Sequence, residues 1–287
     1  MKTLTLLLAS LSLLAILMTG ASAAIANSLP EIGSVVIVLY SHDEIVMAAD
    51  SRVVNEQTGQ YRGDYCKIVT PGAGFIYGAT GITETAGAFD AAGLVRRLFR
   101  EEGRNSEEGF IQGIAMKWAN AMEQNLARLP ANRLRQSAGE GRGAGALNCA
   151  MFAGVEPSGE LALARARLFY RGVSGGGIPR VAAEITPIPL DKPGINIAGC
   201  GDVDVLKSIV PPRTAWAKSE VERWQRFTGD AKAKIAIRLV QLTIDRERPR
   251  QFGSQEIVPV GGQIDAAEIV PERPVRWIQR KANCPAE

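Results

Sequence analysis

The sequence predicts an α+β chain built as a four-layer αββα sandwich, two stacked and mostly antiparallel sheets with helices outside both. Three observations carry that expectation. Residues 35–39 and 45–49 are unbroken apolar runs joined by the polar turn Ser41-His42-Asp43-Glu44, as expected of a hairpin buried on both faces. The segments follow the order strands, two helices, strands, helices, strands, which lacks the strict alternation of a doubly wound parallel sheet. The 287 residues are 46% hydrophobic and 22% charged, with no internal repeat, which suits one large domain with a sizeable core.

Residues 1–26 read as a secretory signal: Lys2, then an apolar stretch from Leu4 to Met18, then small-residue cleavage sites at Ala21-Ser22-Ala23 and Ala24-Ile25-Ala26. The apolar stretch is short for a membrane span, and cleavage is preferred over the alternative of an uncleaved anchor because both small-residue sites are well formed. The mature protein is therefore expected to be secreted or periplasmic. Residues 27–33 form a short propeptide or linker, and residues 34–287 the single domain.

After the first hairpin, residues 53–64 are polar and read as a loop. Residues 66–70 and 74–78 read as a second hairpin around Pro71-Gly72. Residues 83–102 place Ala86, Phe89, Leu94 and Leu98 at helical intervals. A second helix is expected from Ser106-Glu107-Glu108 to about Leu129, before Pro130, with Phe110, Ile111, Ile114, Met116, Trp118, Met122 and Leu126 as its apolar set. The Arg- and Gly-rich residues 132–145 read as a mobile surface loop. A third strand pair is expected at 147–153 and 161–166, a Gly-rich loop at 172–177, and a strand at 195–198. Helices follow at 202–210, 216–227 and 230–247, and strands at 264–270 and 275–278 close the sheets.

Net charge is only +3, which gives no concentrated basic stripe for nucleic acid. The tail bearing Arg273, Arg276, Arg280 and Lys281 reads as a solvated terminal strand. The four cysteines, Cys66, Cys149, Cys200 and Cys284, are expected in an oxidising compartment. They allow three pairings, and the sequence chooses none. No C-x-x-C spacing suggests zinc. The one histidine, His42, lies in the first turn away from any partner. A Ser-His-Asp triad would have to use it, and an exposed turn histidine is the preferred reading.

The second apolar run ends abruptly in Asp50-Ser51-Arg52, and a carboxylate there is costly to bury unpaired. Gly33-Ser34, the apolar hairpin and Ala48-Ala49-Asp50-Ser51-Arg52 together resemble the start of a proteasome β-type subunit, a branch of the N-terminal-nucleophile hydrolases. Ser34 lies sixteen positions before Asp50, the family spacing to the nucleophile. Cys66-Lys67-Ile68 resembles the strand with the family's catalytic lysine, offset by one residue. Phe75-Ile76-Tyr77-Gly78-Ala79-Thr80-Gly81 resembles the strand whose closing glycine supplies the oxyanion N–H. Ile197-Ala198-Gly199-Cys200-Gly201-Asp202 is similar to a Gly-Ser-Gly-Ser turn, and Gly261-Gly262-Gln263-Ile264-Asp265 to a Gly-Gly-x-Ile-Asp strand start.

The resemblance implies the same αββα layers and self-cleavage at Gly33–Ser34. Ser34 would be the nucleophile and its freed amine the base, with Lys67 and Asp50 as supporting pair and Gly81 as oxyanion donor. Ser51, Cys200 and Glu256 are supporting candidates. A peptide or other amide is the expected substrate. A ring-shaped homo-oligomer is suggested by the resemblance alone, and no metal, organic cofactor or ATPase partner is expected. Three departures stand out: serine replaces the usual threonine, Cys200 stands at a family serine, and Ile257 and Val260 stand at the family's second aspartate and nearby serine. Glu256 could replace that aspartate only by a shift in register. The loss of that second aspartate and serine favours a second reading, a non-catalytic scaffold of the cell envelope. Small amides are a third, as substrates of an amidase on the same fold. Each residue also has a plain reading: Asp50 and Arg52 a structural ion pair, Lys67 an exposed edge lysine, Ser51 a turn cap, Gly81 a strand end.

Overall fold

The computed structural model describes residues 31–284, apart from residues 33, 56–59, 64, 86–88, 103–108, 139–145, 193, 202–203, 210–213, 225–229, 247–248, 253–254 and 259. The expected signal segment and most of the linker lie outside the described residues.

Ten strands make two five-stranded sheets, each antiparallel throughout. They are β1 (Val35–Tyr40), β2 (Ile45–Asp50), β3 (Ile68–Gly72), β4 (Phe75–Gly81), β5 (Ala146–Val155), β6 (Leu161–Val173), β7 (Pro179–Pro187), β8 (Asn196–Gly201), β9 (Ile264–Ile269) and β10 (Arg276–Gln279). The first sheet runs β8-β1-β2-β9-β10 and the second β7-β6-β5-β4-β3. Among the described residues, six helices accompany them: α1 (Ala91–Glu102), α2 (Phe110–Leu126), α3 (Ala131–Ser137), α4 (Asp204–Ile209), α5 (Ala215–Trp224) and α6 (Ala231–Arg246).

Strand alternation explains the layering. Along β1, Val35, Ile37 and Leu39 face outward onto α4, α5 and α6, where Val205, Ala217, Ile235, Leu239 and Val240 complete a core. Val36, Val38 and Tyr40 face inward, against Met151, Ala153 and Leu163 of the second sheet. The outer face of that second sheet buries Tyr77, Phe152, Ala164 and Leu168 against Leu94, Val95, Ile114 and Trp118 of α1 and α2. Tyr77, Phe152 and Trp118 meet at ring-centroid distances of 5.2–5.8 Å, and the Trp118 indole N–H donates to the Ala91 carbonyl. Three apolar cores between four layers are the expected αββα sandwich, and the unbroken apolar runs of β1 and β2 are strands with a core on each side.

Several local expectations are corrected. The first helix begins at Ala91, because Asp90 accepts from the Ala92 N–H and caps it. Glu84–Thr85 and Phe89–Asp90 before it form a small antiparallel pair. Met116, assigned to the apolar face of the second helix, is half exposed. Residues 131–137 are helix α3 rather than loop, anchored by buried Leu134. The polar region after β2 contains short strands at Val53–Asn55 and Tyr61–Arg62, the first also pairing with Glu31–Ile32. Strand β7, an edge strand with a proline at each end, was not anticipated.

Candidate active site

Asp50 closes β2 with its side chain wholly buried. Four donors meet its carboxylate. Oδ1 accepts from the Val35 N–H at 2.9 Å and from Lys67 Nζ at 2.7 Å. Oδ2 accepts from the Gly261 N–H at 2.9 Å and the Arg52 N–H at 3.3 Å. A buried carboxylate is tolerable only with such partners. Arg52 is therefore not the ion-pair partner of Asp50. Its guanidinium donates to the carbonyls of Val258 and Val260 and lies over the Tyr61 ring.

Lys67 is not an exposed edge lysine either. It is 3% exposed and also donates to the Arg52 carbonyl at 2.5 Å. Burial brings its ammonium down from 10.5 to about 8. Asp50 opposes that shift, and the positive charges of Lys281 and Arg52 add to it.

Ser34 is buried and immediately precedes Val35, whose N–H is held by Asp50. Its φ of 152° lies in territory that residues with a Cβ rarely adopt. Its carbonyl oxygen lies against Gly201, so close that a Cβ at that position would be 2.1 Å away. The same Cβ would be 3.1 Å from Thr80 Cγ2. The start of β1, the end of β8 and the end of β4 thus converge, and Gly81 follows Thr80 directly. Gly81 has φ 83°, and a Cβ there would meet the Leu147 carbonyl oxygen at 2.3 Å, so only glycine fits. Beside Lys67, a crevice too narrow to hold a water molecule is lined by Tyr65, Cys66, Lys67, Tyr77, Ala79 and Thr83 among others.

The supporting candidates fare differently. The Ser51 hydroxyl donates to the Gly63 carbonyl and accepts from the Gln263 N–H, so it staples two loops rather than orienting Asp50. Cys200 forms a disulfide with Cys149, which removes it as a free hydrogen-bonding group near Ser34 and corrects its supporting role. Glu256 lies in the short strand Gln255–Ile257, and its side chain is outside the described residues. Val260 is buried in the outer core with α6. His42 lies in the β1–β2 turn and is exposed.

Two features escaped the sequence. Lys281, expected in a solvated tail, is 4% exposed and paired with wholly buried Asp265 at 2.5 Å. The second disulfide joins Cys66, the neighbour of Lys67, to Cys284. The only hint was that Asp265 is one more carboxylate in an apolar strand. Among the described residues no three histidine, cysteine, aspartate or glutamate side chains cluster as metal ligands do, and no helix is long and apolar enough to cross a membrane.

No protein-family model and no curated protein matches the sequence. Among solved structures, the chain is similar to the Anbu (Gly-1) mutant from Hyphomicrobium sp. strain MC1, with a TM-score of 0.49 and 16% identity over 88% of this chain and 89% of that one.

Proposed function

We propose that the chain is a secreted N-terminal-nucleophile hydrolase of peptide or other amide bonds, with Ser34 as nucleophile. The observation that carries the reading is the buried Lys67–Asp50 pair, fastened through Val35 one residue from Ser34. Maturation is self-cleavage at Gly33–Ser34. The Ser34 hydroxyl attacks the Gly33 carbonyl, the peptide C–N bond breaks as the nitrogen takes a proton, and water hydrolyses the resulting ester. The φ of Ser34 supports this, because cutting that bond releases the unfavourable torsion.

In the mature chain the α-amine, with an ordinary pKa of about 8, takes the hydroxyl proton directly or through a water. The Lys67 ammonium stabilises the forming alkoxide, and Asp50 fixes the ammonium in place. The Gly81 N–H receives the oxyanion, a contribution of about 3 kcal/mol for one such donor. The amine then returns its proton to the leaving nitrogen, and water clears the acyl-Ser34 ester. The signal segment and the two disulfides support an oxidising, extracytoplasmic location.

Intact mass and N-terminal sequencing of the purified protein test the proposal. A chain that begins at Ser34, with Ser34→Ala retaining residues before it, is the expected result. A chain that begins upstream in both proteins overturns it. That second result would favour a non-catalytic scaffold, the reading supported by apolar Val260 and bridged Cys200 at positions where the resembling family has serines. Ring assembly, suggested by the resemblance, is tested by light scattering after size-exclusion chromatography.

A further inference from the structure

The C-terminal tail returns to the segment that carries Lys67 and grips it twice. Lys281 Nζ donates to the Tyr65 carbonyl at 2.6 Å, and Cys284 is bonded to Cys66, so the two residues before Lys67 are both tethered. The tether has a fixed base. Asp265, at the start of β9, binds Lys281 Nζ through Oδ2 at 2.5 Å and the Lys281 N–H through Oδ1 at 3.0 Å. The Arg280 guanidinium donates to the Cys284 carbonyl and folds the tail's end back on itself. On its other side Lys67 meets Asp50 and the Arg52 carbonyl. The charged groups facing Lys67 are thus Asp50 and Arg52 from the β2 side and Lys281, backed by Asp265, from the tail.

We propose that Lys281 and Asp265, together with the Cys66–Cys284 bridge, form a positioning device that holds Lys67 against Asp50 and away from water. The proposal rests on Lys67 being a working group of the site. Burying a second ion pair is costly, and hydrophobic residues of similar volume would serve packing at least as well. What an ion pair adds at this place is a hydrogen-bonded strut to a backbone carbonyl and a positive charge beside another ammonium. Both act on Lys67. The strut keeps it out of water, and the charge disfavours its protonated form.

The test reads Lys67 directly. The full secreted chain, labelled with 13C at lysine Cε, is titrated by NMR, with the Lys67 signal assigned by its loss in Lys67→Arg. Lys67 should titrate near 8. In Lys281→Gln its midpoint should rise by about half a unit or more, because a like charge is lost and water gains access. Lys281→Arg, which keeps the charge, should restore the original midpoint. The double variant Asp265→Asn/Lys281→Met removes the strut without leaving a lone charge; water entry alone should then still raise the midpoint, by less than in Lys281→Gln, and this serves if the single variant does not fold. An unmoved midpoint in a folded charge-removing variant overturns the proposal, as does a failure of the double variant to fold, which would make the pair a folding element only. Peptide hydrolysis is measured in parallel. A Lys67 that responds to Lys281 in a chain without hydrolytic activity keeps the device and removes the hydrolase reading. An active chain whose Lys67 ignores Lys281 does the reverse.

Discussion

The two buried Lys–Asp pairs lie on neighbouring strands. Ile264 faces Asp50 across the β2–β9 ladder and Asp265 faces Ala49, so the two carboxylates stand one register step apart. Each aspartate is fully shielded, each lysine is nearly so, and each lysine also donates to a backbone carbonyl. They differ in surroundings. Asp50 gathers backbone N–H groups from Val35, Gly261 and Arg52, and stands at the mouth where β1, β4 and β8 converge. Asp265 receives both of its bonds from one residue, Lys281, beside a disulfide. The first pair is built from four separate pieces of chain around a serine with a strained torsion, whereas the second is a local clasp on the tail. Like chemistry can serve reactivity in one place and anchoring in the other, and the environment decides which.

The sharpest way to break that contrast is through activity. Lys67→Met should lower hydrolysis and self-cleavage by about 10²–10⁴-fold, the usual worth of a positioned proton-handling or charge-stabilising group. Mass spectrometry of the N-terminus and a fluorogenic peptide assay would show it. If hydrolysis persists at wild-type rate, Lys67 is no more than a second anchor.

Stability comes next. Removing one member of either pair should cost about 3–5 kcal/mol by urea denaturation, because the remaining charge is stranded. Replacing both members, as in Asp50→Asn/Lys67→Met, should recover most of that loss but no activity. The exposed pair Arg167–Glu184 is the reference, and Glu184→Ala should cost under about 1 kcal/mol.

The pH dependence sharpens the comparison further. Below pH 8 Lys67 is charged in both folded and unfolded chains, and its burial cost is present in full. Between about 8 and 10.5 the folded chain has lost the proton and the unfolded chain has kept it, so stability rises with pH. The gap between wild type and Lys67→Met should therefore widen across that window, by roughly 3 kcal/mol at most. Hydrolysis should follow a bell centred near pH 8. It falls on the acid side as the α-amine is protonated and on the alkaline side as Lys67 loses its charge.

The layers were legible because β1, β2, β4 and β9 advertise themselves as apolar runs, and alternation assigns their faces. Strand β7 was not, because Arg180, Glu184 and Thr186 leave an edge strand with weak alternation between two prolines. The start of α1 was misplaced because Ala86 and Phe89 happen to extend its spacing, while the cap at Asp90 overrides it. At the site, the buried end of β2 posed the right question about Asp50, but no local rule names its partner. Arg52 is nearer in sequence, and Lys67 was reached only through the resemblance. Lys281 was misjudged for the opposite reason: a lysine in a basic tail is ordinarily solvated, and its burial depends on a disulfide spanning 218 positions, which no spacing reveals.

The Cys149–Cys200 bridge joins β5 of one sheet to β8 of the other, and Cys200 is paired with Val36, two residues beyond Ser34. It sutures the layers at the end where the serine lies. Sliding or prising apart of the slabs is blocked there, so breathing at that end must come from the flanking loops. A reducing environment would unlock that restraint and, by opening the Cys66–Cys284 bridge, the tail's hold on the segment of Lys67 as well.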